Sequence, residues 1–375
     1  MNEIKFGVIG LGLMGREFAS AAARWLHLLD TDAKPVITAV CDTNASATDW
    51  FTEHVPTVEL VTTDYRELLA SDVDAVYCAV PHHLHAQLYS DIIRAGKHLL
   101  GEKPFGIDKA ANDAINAVIA EHPEVLVRCS SEFPFYPGAL EITQNLRENT
   151  FGRILEVEAG FLHSSDLDPD KALNWKRIVA TNGEYGCMGD LGLHVLHIPL
   201  RFGLIPEKVR AQLSNIMTTR PDGGGGTAPC DTWDNATLLT EVEKDGYTFP
   251  MTLHTKRIAP GEANTWFLHV HGTRKSMAFS TKNPKTLRTL TYRAGGAQAW
   301  CHTDVGYKSA YPAITGAIFE FGFTDSVLQM WAAFCDELEH GRSRMSQPFY
   351  CVTPEEAAES HRVFTEALAA HTGTV

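Results

Sequence analysis

The chain has 375 residues, 44% hydrophobic and 21% charged, with 32 basic against 46 acidic side chains and a net charge of −14. That length suits about two domains, and the lack of any Lys/Arg block argues against a nucleic-acid partner, because neutralising phosphates takes clustered cations. No apolar run approaches the ~20 residues that cross a bilayer, and Met1-Asn2-Glu3 has no charged-then-apolar leader pattern, so no membrane partner and a cytoplasmic location are expected.

Ile4, Phe6, Val8 and Ile9 predict a strand that runs into Gly10-Leu11-Gly12-Leu13-Met14-Gly15, with a helix from Arg16 to Leu29 after it. A Gly-x-Gly-x-x-Gly string between a strand and a helix marks a dinucleotide cradle. Gly10 permits a tight turn, Gly12 lets backbone approach a pyrophosphate, and Gly15 lets helix and strand pack closely. The phosphate charge then sits at the helix N-terminus, where free N–H groups and the dipole favour it. A second strand, Pro35 to Cys41, ends in Asp42. An acid there accepts from ribose hydroxyls and repels the extra phosphate of NADP, so NAD is expected in preference to NADP. A helix N-cap role for Asp42, with Thr43 and Asn44 as rivals for it, is the competing reading.

Strand and helix patterns keep alternating, which predicts a doubly wound parallel sheet. Val58 to Thr62 and Val73 to Val80 are strands, Asp64-x-x-Glu67 has the form of a helix start, and Pro81 closes the fourth strand. His82-His83-Leu84-His85 opens a helix that should stop at Gly96. These histidines do not share one helical face well, so no metal is expected there. The apolar run His98 to Leu100 is the fifth strand, and Gly101-Glu102-Lys103-Pro104 follows it. A lysine is thus delivered to the C-terminal edge of the sheet, where ligands of such sheets bind; Pro104 should hold it extended. A helix from Asp108 to Glu121 and a strand from Val125 to Cys129 complete six strands. The eight cysteines show no Cys-x-x-Cys pair, and Cys41, Cys78 and Cys129 read as small buried hydrophobes.

Past Ser131 the pattern changes. Phe133 to Pro137 reads as a linker and Gly138 to Glu148 as a helix. Then Ile154 to Phe161, Val209 to Met217, Ala236 to Val242, Tyr247 to Thr255, Trp266 to His271 and Ser276 to Phe279 alternate like strands exposed on one face. A mainly antiparallel sheet is expected. Gly223 to Gly226 reads as a flexible loop, and helices over Ser326 to His340 and Pro354 to Ala370 close the chain.

Within this part, Asp190 and His194 stand four residues apart behind Gly183, Gly186 and Gly189. On a helix both point the same way, and a carboxylate beside an imidazole is an acid/base pair. An N-cap acid with an unrelated core histidine is the alternative. His197 lies one turn on, but no fourth ligand has a recognisable spacing, so no metal is expected here either. Trp175, Tyr185, Trp233 and Trp300 are candidate stacking surfaces for a ring. The acidic balance argues mildly against a phosphorylated or carboxylated substrate.

Gly10-x-Gly12-x-x-Gly15, Glu102-Lys103-Pro104 and Asp190-x-x-x-His194, in that order and spacing, resemble the Gfo/Idh/MocA family of NAD(P)-dependent sugar enzymes, the glucose-fructose oxidoreductase and inositol dehydrogenase type. Trp175-Lys176, Thr232-x-Asp234-Asn235-Ala236 and the two terminal helices extend the resemblance over nearly the whole chain. It implies a Rossmann domain over 1–130 and an α/β domain over 131–375 whose large, mainly antiparallel open sheet makes dimer or tetramer contacts. By position it implies Lys103 near the substrate hydroxyl, His194 as general base, and Asp190 on the substrate or on His194. Trp175 and Lys176 join them as substrate-binding residues. NAD is assigned to Gly10, Gly12, Leu13, Met14, Gly15, Asp42, Val80, His82, His85, Glu102 and Lys103. Two departures stand out: His82-His83 replaces a frequent Asn, and Pro199 should interrupt a helix that is usually longer. The implied activity is hydride transfer between nicotinamide and a secondary alcohol of a sugar, cyclitol or glycoside. A glycosidase that oxidises transiently and eliminates, and a non-catalytic dinucleotide sensor, are the alternatives.

Overall fold

The computed structural model describes residues 1–373. The chain divides into two compact units. Residues 1–106, 110–135 and 308–354 make up the first; 107–109, 136–307 and the segment from 355 onward make up the second. A single cut at residue 130 was expected. Instead the chain returns to the first unit after 307, because a late helix supplies core for its sheet.

The first unit is a six-stranded parallel sheet. In chain order it holds β1 (Asn2–Ile9), α1 (Leu13–Ala23), β2 (Ala33–Cys41), α2 (Asp49–His54), β3 (Leu60–Thr62), α3 (Tyr65–Leu69), β4 (Ala75–Cys78), α4 (His85–Arg94), β5 (His98–Gly101), α5 (Lys109–Glu121) and β6 (Val127–Cys129). Strand order is β3-β2-β1-β4-β5-β6, all parallel. The order reverses at β1/β4, the switch point where such sheets bind ligands. Asp64 caps α3, its Oδ1 accepting from Arg66 N at 3.0 Å. The helix after the glycine loop ends at Ala23 and not at Leu29. A 3-10 turn over Trp25–His27 replaces its last part, since Trp25 is buried and its Nε1 donates to Ala33 O at 3.0 Å.

The second unit begins with α6 (Pro137–Arg147), β7 (Ile154–His163), the short α7 (Val179–Asn182) and α8 (Cys187–Arg201). It continues through β8 (Glu207–Ser214), β9 (Thr219–Pro221), β10 (Thr227–Pro229), β11 (Asn235–Lys244), β12 (Tyr247–Lys256), β13 (Asn264–Gly272), β14 (Lys275–Ser280), β15 (Thr286–Thr291) and β16 (Cys301–Asp304). Its sheet runs β16-β15-β14-β13-β7-β12-β11-β8. All neighbours are antiparallel except β7 and β12. The strands β15 and β16 at one end of the sheet went unpredicted; β16, the edge, is exposed along its length and carries no burial signature. The Gly223 to Gly226 tract is the tip of the β9–β10 hairpin. It is pinned where Asp222 Oδ1 accepts from Gly224 N and Gly226 N at 2.8 and 3.0 Å.

The last helices, α9 (Phe323–His340) and α10 (Pro354–Thr372), go to different units. Trp331 of α9 stacks on Phe18 of α1 at 3.6 Å and meets Phe6 and Tyr77 edge-on. That aromatic cluster closes one face of the parallel sheet. In the second unit α8 is buried on every side from Cys187 to Leu200 and packs on β7 and β12. Pro199 does not interrupt it: the helix runs on to Arg201. Burial all round outweighs the one backbone bond that proline forfeits. Among the described residues no helix is long and apolar enough to cross a membrane.

Candidate functional site

In the first unit the glycine loop is shaped as its sequence requires. Gly10 has φ +91°, and a Cβ there would run into the Ala79 carbonyl. At Gly15 a Cβ would stand 2.5 Å from Gly10 O, so the helix comes close only because the residue is glycine. An added Cβ at Gly12 meets nothing within 4 Å, which leaves room over the start of α1. Gly12 has no side chain to cap that helix, and the first turn, Leu13-Met14-Gly15, carries no acid. This donor-rich, open cradle fits a pyrophosphate.

Asp42 stands beside it. Its Oδ2 accepts from Leu11 N and its Oδ1 from Asn44 N, both at 2.9 Å. The carboxylate therefore braces the glycine loop as well as turning the chain, and each oxygen keeps a further lone pair. Among the other predicted cofactor residues, His85 is fully buried and stacks on Tyr89 at 4.6 Å. Its Nε2 donates to Val80 O at 3.1 Å and its Nδ1 accepts from Gly106 N at 3.3 Å. Both ring nitrogens are thus used to lock the turn after β4 to the turn after β5. His82 is buried alongside it, ring centroids 5.5 Å apart.

Lys103 follows β5 by way of Glu102 and is joined to Pro104 by a cis peptide bond. The preceding Glu102 is buried, and its Oε1 accepts from Tyr77 Oη at 2.7 Å and Ser130 Oγ at 2.6 Å. Its carbonyl accepts from Tyr89 Oη at 2.8 Å. The chain entering Lys103 is therefore fixed from β4, from α4 and from the residue that follows β6. A second acid, Glu132, lies buried close by, and sequence reading had missed it. Burial pushes its carboxyl up to about 7, with Glu102 adding to the shift and Lys103 opposing it. The folded state thus keeps a proton that the unfolded chain releases from about pH 4.3 upward. Stability contributed by this group falls as pH rises from there to about 7, by roughly 3 kcal/mol in all. Glu132→Gln should gain in thermal midpoint over the parent protein as pH goes from about 5 to about 8. Parallel midpoint curves for the two proteins would remove Glu132 from this account.

In the second unit α8 is preceded by Gly186, which has φ +56° and where a Cβ would lie 2.6 Å from Trp233 N. Asp190 is in its first turn, 2% exposed, and His194 one turn later is 4% exposed. Lys176 Nζ donates to Asp190 Oδ1 at 2.9 Å, and Arg257 Nη1 donates to Asp190 Oδ2. Arg257 Nε also donates to Asp166 Oδ2 at 2.7 Å, and Lys171 Nζ reaches Asp166 Oδ1 at 3.0 Å. Burial pushes the Asp166 carboxyl up, but its ion pairs with Arg257 and Lys171 outweigh that and hold it well below the usual carboxylate range. Behind them Arg177 is fully buried against Asp234. His194 faces the edge of Phe161 at 5.5 Å, and its carbonyl accepts from Trp266 Nε1 at 2.9 Å, which anchors that turn of α8 to β13.

His163, Ser165, Lys171, Asn174, Trp175, Lys176, Asp190 and Arg257 line a cavity of about 340 Å³. Of the four aromatic candidates, Trp175 is on this wall. Tyr185 is buried with its hydroxyl 2.8 Å from Thr365 Oγ1, Trp233 packs on His371, and Trp300 lies on the open sheet beside His271. Arg257, Asp166 and Lys171 were not legible beforehand. They come from the end of β12 and from the loop after β7, and nothing local marks a lysine or arginine as a partner for an aspartate on a distant helix. His197, fully buried, meets Arg201 Nη2 through Nε2 at 2.9 Å. Burial and then Arg201 hold it well below the usual imidazole range. It belongs to the α8–α10 packing, where Arg201 also pairs with Glu356.

Residues 4–128 match the profile of the oxidoreductase family with an NAD-binding Rossmann fold, and residues 139–278 match the GFO/IDH/MocA C-terminal domain. Levoglucosan dehydrogenase of Pseudarthrobacter phenanthrenivorans is 24% identical over 295 residues, 75% of this chain and 74% of that protein. The alpha-N-acetylgalactosaminidase of Shewanella oneidensis is 28% identical over 181 residues, 44% of this chain and 36% of that enzyme. Among solved structures, levoglucosan dehydrogenase in complex with NADH and L-sorbose shares the fold with a TM-score of 0.86 at 22% identity, covering 100% of this chain and 98% of that one. The glycine cradle at the sheet's switch point and the two profiles in tandem lead to one assignment: the chain belongs to the GFO/IDH/MocA family of oxidoreductases, with an NAD-binding Rossmann domain in its N-terminal part.

Proposed function

We propose that the protein is an NAD-dependent dehydrogenase acting on a secondary alcohol of a sugar, cyclitol or glycoside. The observation that carries this reading is the cavity of the second unit, whose wall combines an aromatic face, Trp175, with a charged hydrogen-bonding set, Lys176 and Asp190. Aromatic faces and fixed polar groups are what carbohydrate rings need. Bound NAD supplies the hydride acceptor. His194 takes the hydroxyl proton, Lys103 holds a fixed positive charge for the developing alkoxide, and Asp190 orients substrate hydroxyls while Lys176 and Arg257 hold its carboxylate in place. The test is incubation with NAD and a panel of sugars and glycosides, following reduced nicotinamide and released aglycone together. Net NADH with an intact carbon skeleton supports the dehydrogenase; no NADH with any member of the panel overturns it.

The likeness to an alpha-N-acetylgalactosaminidase favours a second reading, transient oxidation followed by elimination. Aglycone release without net NADH supports that one. Asp42 carries the choice of NAD over NADP: Asp42→Ser should narrow the ratio of the two affinities, and an unchanged ratio would take Asp42 out of the argument. The open sheet, with Leu155 on β7 and Leu239 on β11 more than half exposed, supports a homo-oligomer, a dimer or tetramer; light scattering in solution decides it.

A further inference from the structure

The chain's overall acidity points away from an acidic substrate, yet the cavity wall has the opposite sign. Its lining brings together three cations, Lys171, Lys176 and Arg257, with one carboxylate, Asp190. That carboxylate is already bonded by Lys176 and Arg257. Asp166, fully buried beneath, is surrounded by Lys171 at 3.0 Å, Arg257 at 2.7 Å and Arg177 at 3.7 Å, the last already paired with buried Asp234. A further cation, Arg220, is 1% exposed, and it donates to carbonyl oxygens of Asp166, Asp168 and Lys171. Its guanidinium thus braces the 166–171 loop with backbone dipoles alone, and its charge stays uncompensated by a carboxylate in those contacts. The loop's other acids, Asp168 and Asp170, are exposed and absent from the wall, so water screens them. Low-dielectric walls strengthen the remaining positive potential inside the cavity.

We propose that this cavity takes an anionic carbohydrate, one whose carboxylate or phosphate is received by Lys171, Lys176 and Arg257 beside the face of Trp175. The proposal rests on the reading of the protein as a carbohydrate oxidoreductase and names the substrate class for it. Lys171 Nζ is the movable part. It is held by Asp166 and the Ser165 carbonyl on a side chain 40% exposed, so it can turn to a ligand without uncovering Asp166, which keeps Arg257 and Arg177. Net charge concerns the whole surface; recognition is decided by the few groups that a ligand displaces water from.

Calorimetric titration of the full chain with NAD present tests it. D-glucuronate, D-gluconate and D-glucose 6-phosphate are compared with D-glucose and D-sorbitol, and turnover is followed by NADH with the same set. The expected result is that at least one anionic probe binds about tenfold tighter or more than its neutral counterpart, the scale of one close charge pair. The ratio should shrink in ~1 M salt, where the Debye length is about 3 Å. Which anion binds tightest tells carboxylate from phosphate. Lys171→Gln should reduce the ratio severalfold, and its circular dichroism reports whether the fold is kept. Equal affinities for charged and neutral probes, or a preference untouched by both salt and Lys171→Gln, overturn the proposal. Tight anion binding without NADH from any probe keeps the proposal and overturns the dehydrogenase reading, whereas turnover of neutral sugars with no anion preference does the reverse.

Discussion

Lys103→Ala should lower turnover by about a hundredfold or more while leaving NAD affinity nearly intact. The reason is where Lys103 sits in the first unit. The chain before it is fixed by the bonds of Glu102 to Tyr77, Ser130 and Tyr89, so its ammonium is carried on a rigid edge of the sheet. Charge held in place ahead of the reaction stabilises a developing oxyanion without reorganisation, and removing one such donor typically costs about 2.7–4 kcal/mol of transition-state stabilisation. The glycine cradle, which supplies cofactor affinity, does not depend on that side chain. Steady-state kinetics and NAD titration of the variant read the two quantities separately. Equal loss of cofactor affinity and rate would make Lys103 a cofactor anchor instead. Lys103→Arg should recover part of the rate, because the charge returns with a different shape.

Arg257→Leu should cost about 3 kcal/mol or more of stability, the usual scale for breaking a buried ion pair from one side. Arg257 is the bridge of its network, bonding Asp190 on α8 and Asp166 on the loop after β7. Without it two carboxylates with almost no exposure lose their shared guanidinium, and Asp166 is left with Lys171 and Arg177. Arg257→Lys restores a charge but cannot reach both acids with fixed planar geometry, so it should recover only part of the loss. Urea unfolding of the three proteins measures this. A loss under about 1 kcal/mol for Arg257→Leu would mean that water replaces the guanidinium, and that the network is looser than its burial implies.

Which parts of this were legible beforehand follows from the range of the interactions. Strand followed by Gly-x-Gly-x-x-Gly followed by helix is a local pattern, and Gly10 and Gly15 are glycine for reasons a few residues away. Asp64 caps its own helix. Asp190 and His194 share a face because an α-helix puts residues four apart there. The Asp190 partners were beyond reach, since Lys176 and Arg257 come from a 3-10 turn and a strand end that only the folded second unit brings to α8. The reading of Pro199 as an interruption erred because it weighed one lost backbone bond without the burial around α8.

The sequence by itself determined the parallel sheet, the cradle and its place at the N-terminal side of the chain, the strand-rich second part and the spacing of Lys103, Asp190 and His194. Those rest on periodicity, glycine sterics and chain order, each read directly along the chain. Tertiary structure alone decided that α9 belongs with the first sheet, that Glu132 lies buried near Lys103, and that Lys171, Lys176 and Arg257 meet on the cavity wall beside Trp175. Burial and charge balance are sums over neighbours from distant segments, and such sums exist only once the chain has folded.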